Sequence, residues 1–309
     1  MSQVVAITGG VGGAKLVLGL VHALPERTVT AIVNTADDFE HLGLAISPDI
    51  DTLLYTLANK ANTAQGWGRE GESWSFMTAL RELGGEDWFQ LGDGDLALHV
   101  LRSMGLQHGR SLSAIVADFA RAWGISATVL PMSDDAVRTV VDTDAGTMPF
   151  QRYFVASRCE PVVRSIRFEG AKAARPAAGV IEAIMDPTTR AIIIAPSNPF
   201  LSIDPVLGVP GIREALAAAP APVVAVSPIV GGKAVKGPTT KLMVELGIEP
   251  SAASVARHYV DFLDGLLVDE RDPKVDLPVA QAVTDTLMVS LDDRIRVARA
   301  ALSLADSLR

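Results

Sequence analysis

Val4-Val5-Ala6-Ile7-Thr8-Gly9-Gly10-Val11-Gly12-Gly13-Ala14-Lys15 runs an apolar stretch into four glycines, and an apolar-periodic segment, Leu16 to Leu24, follows. The order reads as strand, glycine turn, helix. Glycine lets a backbone approach a ligand closely, and a helix start presents unpaired N–H groups to an anion. The turn therefore points to a phosphate-bearing ligand; the bland alternative is a tight strand-to-helix turn that binds nothing. Neither common phosphate fingerprint is complete. Counted from Gly10, the loop puts Lys15 where a Rossmann loop has its third glycine, and Leu16 follows Lys15 where a Walker loop has Ser or Thr.

Working outward, three more segments share the design. Val29–Val33 leads into Asn34-Thr35-Ala36-Asp37-Asp38, Ala191–Ala195 into Pro196-Ser197-Asn198-Pro199, and Val223–Val226 into Ser227-Pro228-Ile229-Val230-Gly231-Gly232-Lys233. Each is a short β-branched run with little alternation, as expected of strands buried on both faces. Strands alternating with helical patterns imply an α/β fold with a doubly wound, mostly parallel Rossmann-like sheet, whose ligands sit outside the carboxyl ends of the strands. Trp74–Leu83, Asp95–Met104 and Leu112–Trp123 carry apolar residues at helical spacing. Thr128-Val129-Leu130, Val137–Val141, Gln151–Ala156 and Val162–Phe168 read as strands of an antiparallel insertion, with Asp144-Ala145-Gly146 as a turn. The expected organisation is a nucleotide-binding core from residues 1–60 and 177–309, with 61–176 forming a helical and antiparallel lobe of the same unit.

Composition narrows the function. The chain has 309 residues, 49% hydrophobic and 20% charged, which fits a globular protein with a large core. A net charge of −9 without a basic stripe argues against a nucleic-acid partner, though a local loop can still hold a nucleotide. The single cysteine, Cys159, excludes an internal disulfide and a cysteine-rich metal site. No secretory signal and no apolar run of ~20 residues stand out, so the expectation is a cytoplasmic protein without a membrane segment.

The chemistry-bearing residues cluster at the strand exits. Asp37, Asp38, Asp49 and Asp51 place four carboxylates close together in sequence. Paired aspartates with waters are a common way to hold Mg²⁺ beside substrate phosphates. Asp49 or Asp51 also suits a helix cap before Leu53–Leu57, and Asp37 suits a ribose hydroxyl. Leu91-Gly92-Asp93-Gly94-Asp95 suggests a turn at a helix start, with Asp95 as its cap or early-turn acid. Ser197 and Asn198, flanked by prolines, present two hydrogen-bonding side chains. Gly231, Lys233 and Lys236 make an anion-friendly loop, with solvated surface lysines as the plain reading. The five histidines lack zinc spacing; His41 is the best placed, near the aspartates. Trp67, Trp74 and Trp88 could stack a planar ligand or simply pack.

Taken in order, TGGVGGAKLVLGL (8–20), VNTADD (33–38), SPDIDTLLYTL (47–57), LGDGDLA (91–97), LPMSDD (130–135), APSNP (195–199), VPGIREAL (209–216), VSPIVGGKAVKGP (226–238) and DFLDGLLVDERD (261–272) resemble the 2-phospho-L-lactate transferase family of coenzyme F420 biosynthesis. The resemblance implies transfer of a phospho-acid group from a guanosine diphosphate-linked donor to the ribityl hydroxyl of the deazaflavin Fo, with release of GMP. It further implies Mg²⁺ and a homodimer. On that reading Gly9, Gly10, Gly12, Gly13, Lys15, Ser197, Asn198, Gly231 and Lys236 serve the nucleotide and its phosphates. Asp37, Asp38 and Asp51 are the catalytic and metal candidates. Asp51, with Asp49 as the alternative, contacts Fo, alongside Asp93 and Gly94. The family motif usually reads Gly-Asp-Arg-Asp, whereas this chain has Gly94 at the arginine position. Losing a five-donor fork there leaves the donor acid open among lactyl, enolpyruvyl and glyceryl forms. Alternatives are a gluconeogenesis-factor-like regulator, a nucleotide sensor without turnover, and a nicotinamide dehydrogenase, the last disfavoured by the broken fingerprint.

Overall fold

In chain order the elements begin with β1 (Gln3–Thr8), α1 (Gly10–Ala23), β2 (Val29–Val33), the hairpin β3 (Phe39–His41) and β4 (Leu44–Ile46), and α2 (Pro48–Leu57). Then come α3 (Ser75–Glu82), α4 (Asp95–Gln107), α5 (Leu112–Ala122), β5 (Thr128–Pro131), β6 (Arg138–Thr143), β7 (Gly146–Pro149) and β8 (Val163–Glu169). The remainder is α6 (Val180–Met185), β9 (Thr189–Ile194), α7 (Asp204–Leu207), α8 (Ile212–Ala217), β10 (Val223–Val226), β11 (Ile229–Val230), β12 (Lys233–Ala234), α9 (Thr239–Glu245), α10 (Ala252–His258), β13 (Gly265–Asp269), β14 (Ala280–Thr284) and α11 (Leu291–Asp306). This computed structural model describes residues 3–25, 28–235, 237–274, 276 and 278–309.

Seven strands form one sheet in the order β14-β13-β10-β9-β1-β2-β5, every neighbouring pair parallel. Side chains of a strand alternate between faces, and here both faces are covered. Val4 and Ala6 pack with Leu16, Leu20, Ile50, Val116 and Val297 on one side. Val5 and Ile7 pack with Val180, Ile184, Ile212 and Val255 on the other. That double burial is why the strands read as continuous apolar runs. From β1 the chain builds β2 and β5 to one side, then returns to lay β9, β10, β13 and β14 on the other. The order therefore reverses between β1 and β9, the switch point at which such sheets open a crevice.

Two strand expectations are corrected. Thr128-Val129-Leu130 does not belong to an antiparallel insertion: it lies in β5, pairing parallel with β2 from Thr30↔Thr128 to Val33↔Pro131. Its half-buried pattern is that of an edge strand of the main sheet. Gln151–Ala156 is not a strand either; Arg152–Ala156 forms a single wide helical turn. Phe150 and Tyr153 are buried together and Phe150 stacks on Phe154 at 5.4 Å, so the segment buries its aromatics at helical, not alternating, spacing. The remaining antiparallel sheet has the order β7-β6-β8, with Asp144-Ala145 turning β6 into β7.

Candidate active site

The glycine turn and the Ser197 loop meet at the switch point. Ser197 Oγ accepts the Gly9 N–H at 3.2 Å and donates its own proton to the Gly9 carbonyl at 2.8 Å. These bonds tie the exits of β1 and β9 together. A Cβ at Gly13 would stand 2.0 Å from Thr8 Oγ1 and 2.7 Å from Ser197 Oγ, so this closeness requires glycine. Asn198 Oδ1 accepts the N–H groups of Phe200 (3.0 Å) and Leu201 (3.1 Å), while its buried Nδ2 has no partner among the described residues. A buried amide donor left open beside a glycine turn suits a ligand acceptor. Gly12 also approaches this loop, next to the Pro196 carbonyl. Lys15 Nζ donates to the Met288 carbonyl at 2.8 Å. Gly231 turns the β11–β12 hairpin beyond β10, next to Gly232, whose N–H donates to Asp272 at 2.8 Å. Lys236 lies outside the described residues.

The loop after β2 carries Asp37 and Asp38 into the same crevice, and the first turn of α2 adds Asp49. Asn34 links them: its Nδ2 donates to Asp49 Oδ2 at 3.0 Å, and to the Leu201 carbonyl at 3.4 Å. Asp49 also lies against the glycine turn: a Cβ on Gly9 would stand 2.6 Å from its Oδ2. Asp38 Oδ2 accepts from Ser47 Oγ at 2.7 Å, and Asp38 Oδ1 is buried without a partner among the described residues. Asp37 Oδ1 accepts from Thr139 Oγ1 at 3.2 Å. Burial pushes Asp37 well above the usual carboxylate range, and the neighbouring charge of Asp49 adds to it. Burial lifts Asp38 to about 7, against the pull of Ser47 and Arg102. Asp49 rises to about 6 for the same leading reason. Among the described residues none of the three forms an ion pair with Lys, Arg or His.

Asp51 belongs to a second, compensated group. The Arg102 guanidinium, fully buried, grips both its oxygens, Nη1 to Oδ2 at 3.1 Å and Nη2 to Oδ1. His99 Nδ1 lies 3.7 Å from Asp51 Oδ2, and its Nε2 lies 3.2 Å from Asp95 Oδ2. Tyr55 donates to the other Asp95 oxygen. Burial pushes Asp51 up, opposed by Arg102 and His99; for Asp95 the bonds from His99 and Tyr55 outweigh burial and hold it low. Asp51, Asp95 and His99 are, among the described residues, the one set of three potential ligands whose atoms lie within 4.8 Å of one another. Arg102 already sits against Asp51 and 3.3 Å from His99 Nδ1, so a guanidinium holds the place a cation would take.

Asp93 is turned away from both groups. It accepts from Ser73 Oγ (2.6 Å), Ser75 N (3.1 Å) and Phe76 N (3.0 Å), so it caps α3, and those bonds hold it below the usual range. His41 lies in an aromatic patch, 5.1 Å from the Trp88 ring centre, with Phe39 4.9 Å from Phe89. Sequence reasoning missed Tyr55, His99 and Arg102. Their signal was helical spacing: Asp95, His99 and Arg102 fall on one face of α4, and Asp51 and Tyr55 one turn apart on α2.

Comparison with known proteins agrees with this arrangement. The family model described as 2-phospho-L-lactate transferase CofD matches residues 4–306. A phosphoenolpyruvate transferase of Kitasatospora aureofaciens is 42% identical over 319 residues, covering 99% of each chain. A 2-phospho-L-lactate transferase of Methanosarcina mazei is 42% identical over 268 residues, covering 87% of each. In fold, a UPF0052 family protein of Bacillus halodurans superimposes with a TM-score of 0.63 at 18% identity, over 98% of this chain and 100% of that one. Fold and family define a Rossmann-like α/β transferase with a glycine turn beside buried carboxylates. The chain belongs to the CofD family of 2-phospho-L-lactate transferases. Among the described residues no helix is long and apolar enough to cross a membrane.

Proposed function

We propose that the protein moves a phospho-acid group from a guanosine diphosphate-linked donor to the terminal ribityl hydroxyl of the deazaflavin Fo, releasing GMP, in coenzyme F420 biosynthesis. The observation that carries this reading is the meeting, at the β1/β9 switch point, of the glycine turn, Ser197 and the uncompensated acids, in a chain matching the CofD family along nearly its whole length. Of the possible donors the enolpyruvyl form comes first, because a phosphoenolpyruvate transferase is 42% identical across 99% of this chain. The reading includes a homodimer in the cytoplasm, as the family resemblance and the sequence suggested.

In this scheme the N–H groups of Gly10 to Gly13 and the Asn198 amide hold the diphosphate, and Ser197, bonded to Gly9, fixes the turn that presents them. The Fo hydroxyl oxygen attacks the phosphorus bearing the acid. A new P–O bond forms, the P–O bond to GMP breaks, and the bridging oxygen leaves with GMP. The hydroxyl proton passes to a buried carboxylate of the crevice. Such a transfer needs positioning and charge neutralisation more than covalent catalysis. Asp37 and Asp38 fit a bound Mg²⁺: both are buried, and among the described residues neither has a cationic partner and Asp38 Oδ1 has no hydrogen-bond partner. Asp51 fits less well because Arg102 already neutralises it and holds both its oxygens, so any contact with the acceptor would use their remaining lone pairs. Mg²⁺ would supply a positive charge to the phosphate oxygens.

Purified protein with Fo, GTP, a donor-activating enzyme, a phospho-acid and Mg²⁺ is expected to release GMP and yield a more acidic deazaflavin. Fo binding without GMP release would identify a sensor; no binding of Fo would remove the acceptor from the scheme.

A further inference from the structure

Gly94 precedes α4 and adjoins the Asp95–His99–Asp51 group. A Cβ on Gly94 would stand 2.0 Å from Arg69 Nη1 and 3.0 Å from Glu72 Oε1, so only a residue without a side chain lets the guanidinium lie there. Glu72 fastens the arrangement. Its Oε2 accepts the Gly94 N–H at 2.6 Å, and its Oε1 accepts from Arg69 Nη1 at 3.2 Å. An antiparallel bridge between Ala61 and Arg69 anchors the backbone. The Glu72 side chain is 6% exposed, whereas Arg69 keeps 32% of its side chain open to solvent. Among the described residues Glu72 is the hydrogen-bonding partner of this guanidinium, and it engages only Nη1. The Nε–Nη2 edge is left, and that edge is the planar two-donor fork that fits a carboxylate.

We propose that Arg69 binds the carboxylate of the phospho-acid being transferred, reaching from its own loop into the space that a side chain at position 94 would fill. The inference rests on the transferase reading above. The donor's phosphates face the glycine turn, which leaves its carboxylate as the planar anion in need of a fork. A side chain at residue 94 would displace the guanidinium of Arg69 from this place.

The test compares wild type, Arg69→Ala, Arg69→Lys and the double variant Arg69→Gly/Gly94→Arg. Transfer kinetics are measured with the enolpyruvyl, lactyl and glyceryl donors, and equilibrium binding with phosphoenolpyruvate and with GDP. Arg69→Ala is expected to raise the donor KM and weaken phosphoenolpyruvate binding by about 10- to 100-fold, leaving kcat and GDP affinity near wild type. Arg69→Lys recovers part of the loss, because charge without the fork is kept. The double variant recovers more than Arg69→Ala. An unchanged donor KM in Arg69→Ala, an equal loss of GDP affinity, or a double variant no better than Arg69→Ala overturns the assignment. Wild type that transfers normally beside an unaffected Arg69→Ala sinks this inference alone. Wild type that binds phosphoenolpyruvate through Arg69 yet transfers nothing sinks the proposed reaction alone. Wild type that binds no phosphoenolpyruvate and shows no donor saturation overturns both.

Discussion

Asp49 and Asp51 stand two residues apart in the first turn of α2, both buried, yet they meet opposite surroundings. Asp51 faces Arg102 and His99 and its charge is answered. Asp49 faces Asn34, the glycine turn and the acids of the β2 loop, and among the described residues no cation answers it. One side of the helix start is a finished ion-pair network that holds α2 against α4. The other is a set of carboxylates under mutual repulsion. Residue type and burial are the same; what differs is whether the neighbouring element brings a guanidinium.

The largest expected effect breaks the compensated side. Arg102→Ala leaves Asp51 buried without its cation and should cost roughly 3–5 kcal/mol, read from urea denaturation. A loss below 1 kcal/mol, about the value of a surface pair, would show that water reaches the network and that the contrast with Asp49 is false.

A smaller effect, of opposite sign, belongs to the other side. Asp38 has a folded value near 7, above that of a free carboxylate. The folded chain therefore keeps a proton that the unfolded chain has already released. The stability from this group is complete below the ordinary carboxylate pKa and is lost as pH rises through about 7. Asp38→Asn should flatten the decline between about pH 4 and 7 and leave the variant roughly 2–4 kcal/mol more stable than wild type at the upper end. Parallel pH curves for the two proteins would mean that Asp38 is already neutralised.

The smallest effect sharpens the comparison. If Mg²⁺ answers the open acids, a concentration of about ten times its dissociation constant raises stability by about 1.4 kcal/mol. That gain should disappear in Asp37→Asn while Arg69→Ala retains it. Thermal melts with Mg²⁺ and with chelator give the answer, and equal gains in both variants would move the metal elsewhere.

How far the chain could be read in advance follows the same division. β1, β2, β9 and β10 were legible because a strand covered on both faces has no polar positions to blur it. β5 was misplaced because an edge strand loses that continuity, and its partner in the ladder lies far back in sequence. Gln151–Ala156 misled because its β-branched and aromatic residues suit a strand, while the packing of Phe150 and Tyr153 asks for a helical turn. At the site, local clusters such as Asn34–Asp38 announced themselves. The Asp51–Arg102 pair joins residues far apart in sequence, and an arginine within a helix looks like a surface residue until its carboxylate is placed. Asp93 drew attention by its glycine neighbours, but its hydrogen bonds serve the start of α3.

The closeness of Asp49 to the glycine turn, 2.6 Å from where a Cβ on Gly9 would stand, has a consequence for traffic through the crevice. The opening of α1 is an electropositive berth, and the chain's own carboxylate stands at its edge. On the proposed reading an arriving diphosphate would have to evict Asp49, and weak anions that could not do so would be turned away. The returning carboxylate would then compete with GMP for the same place, so the tenant that guards the berth would also hasten departure.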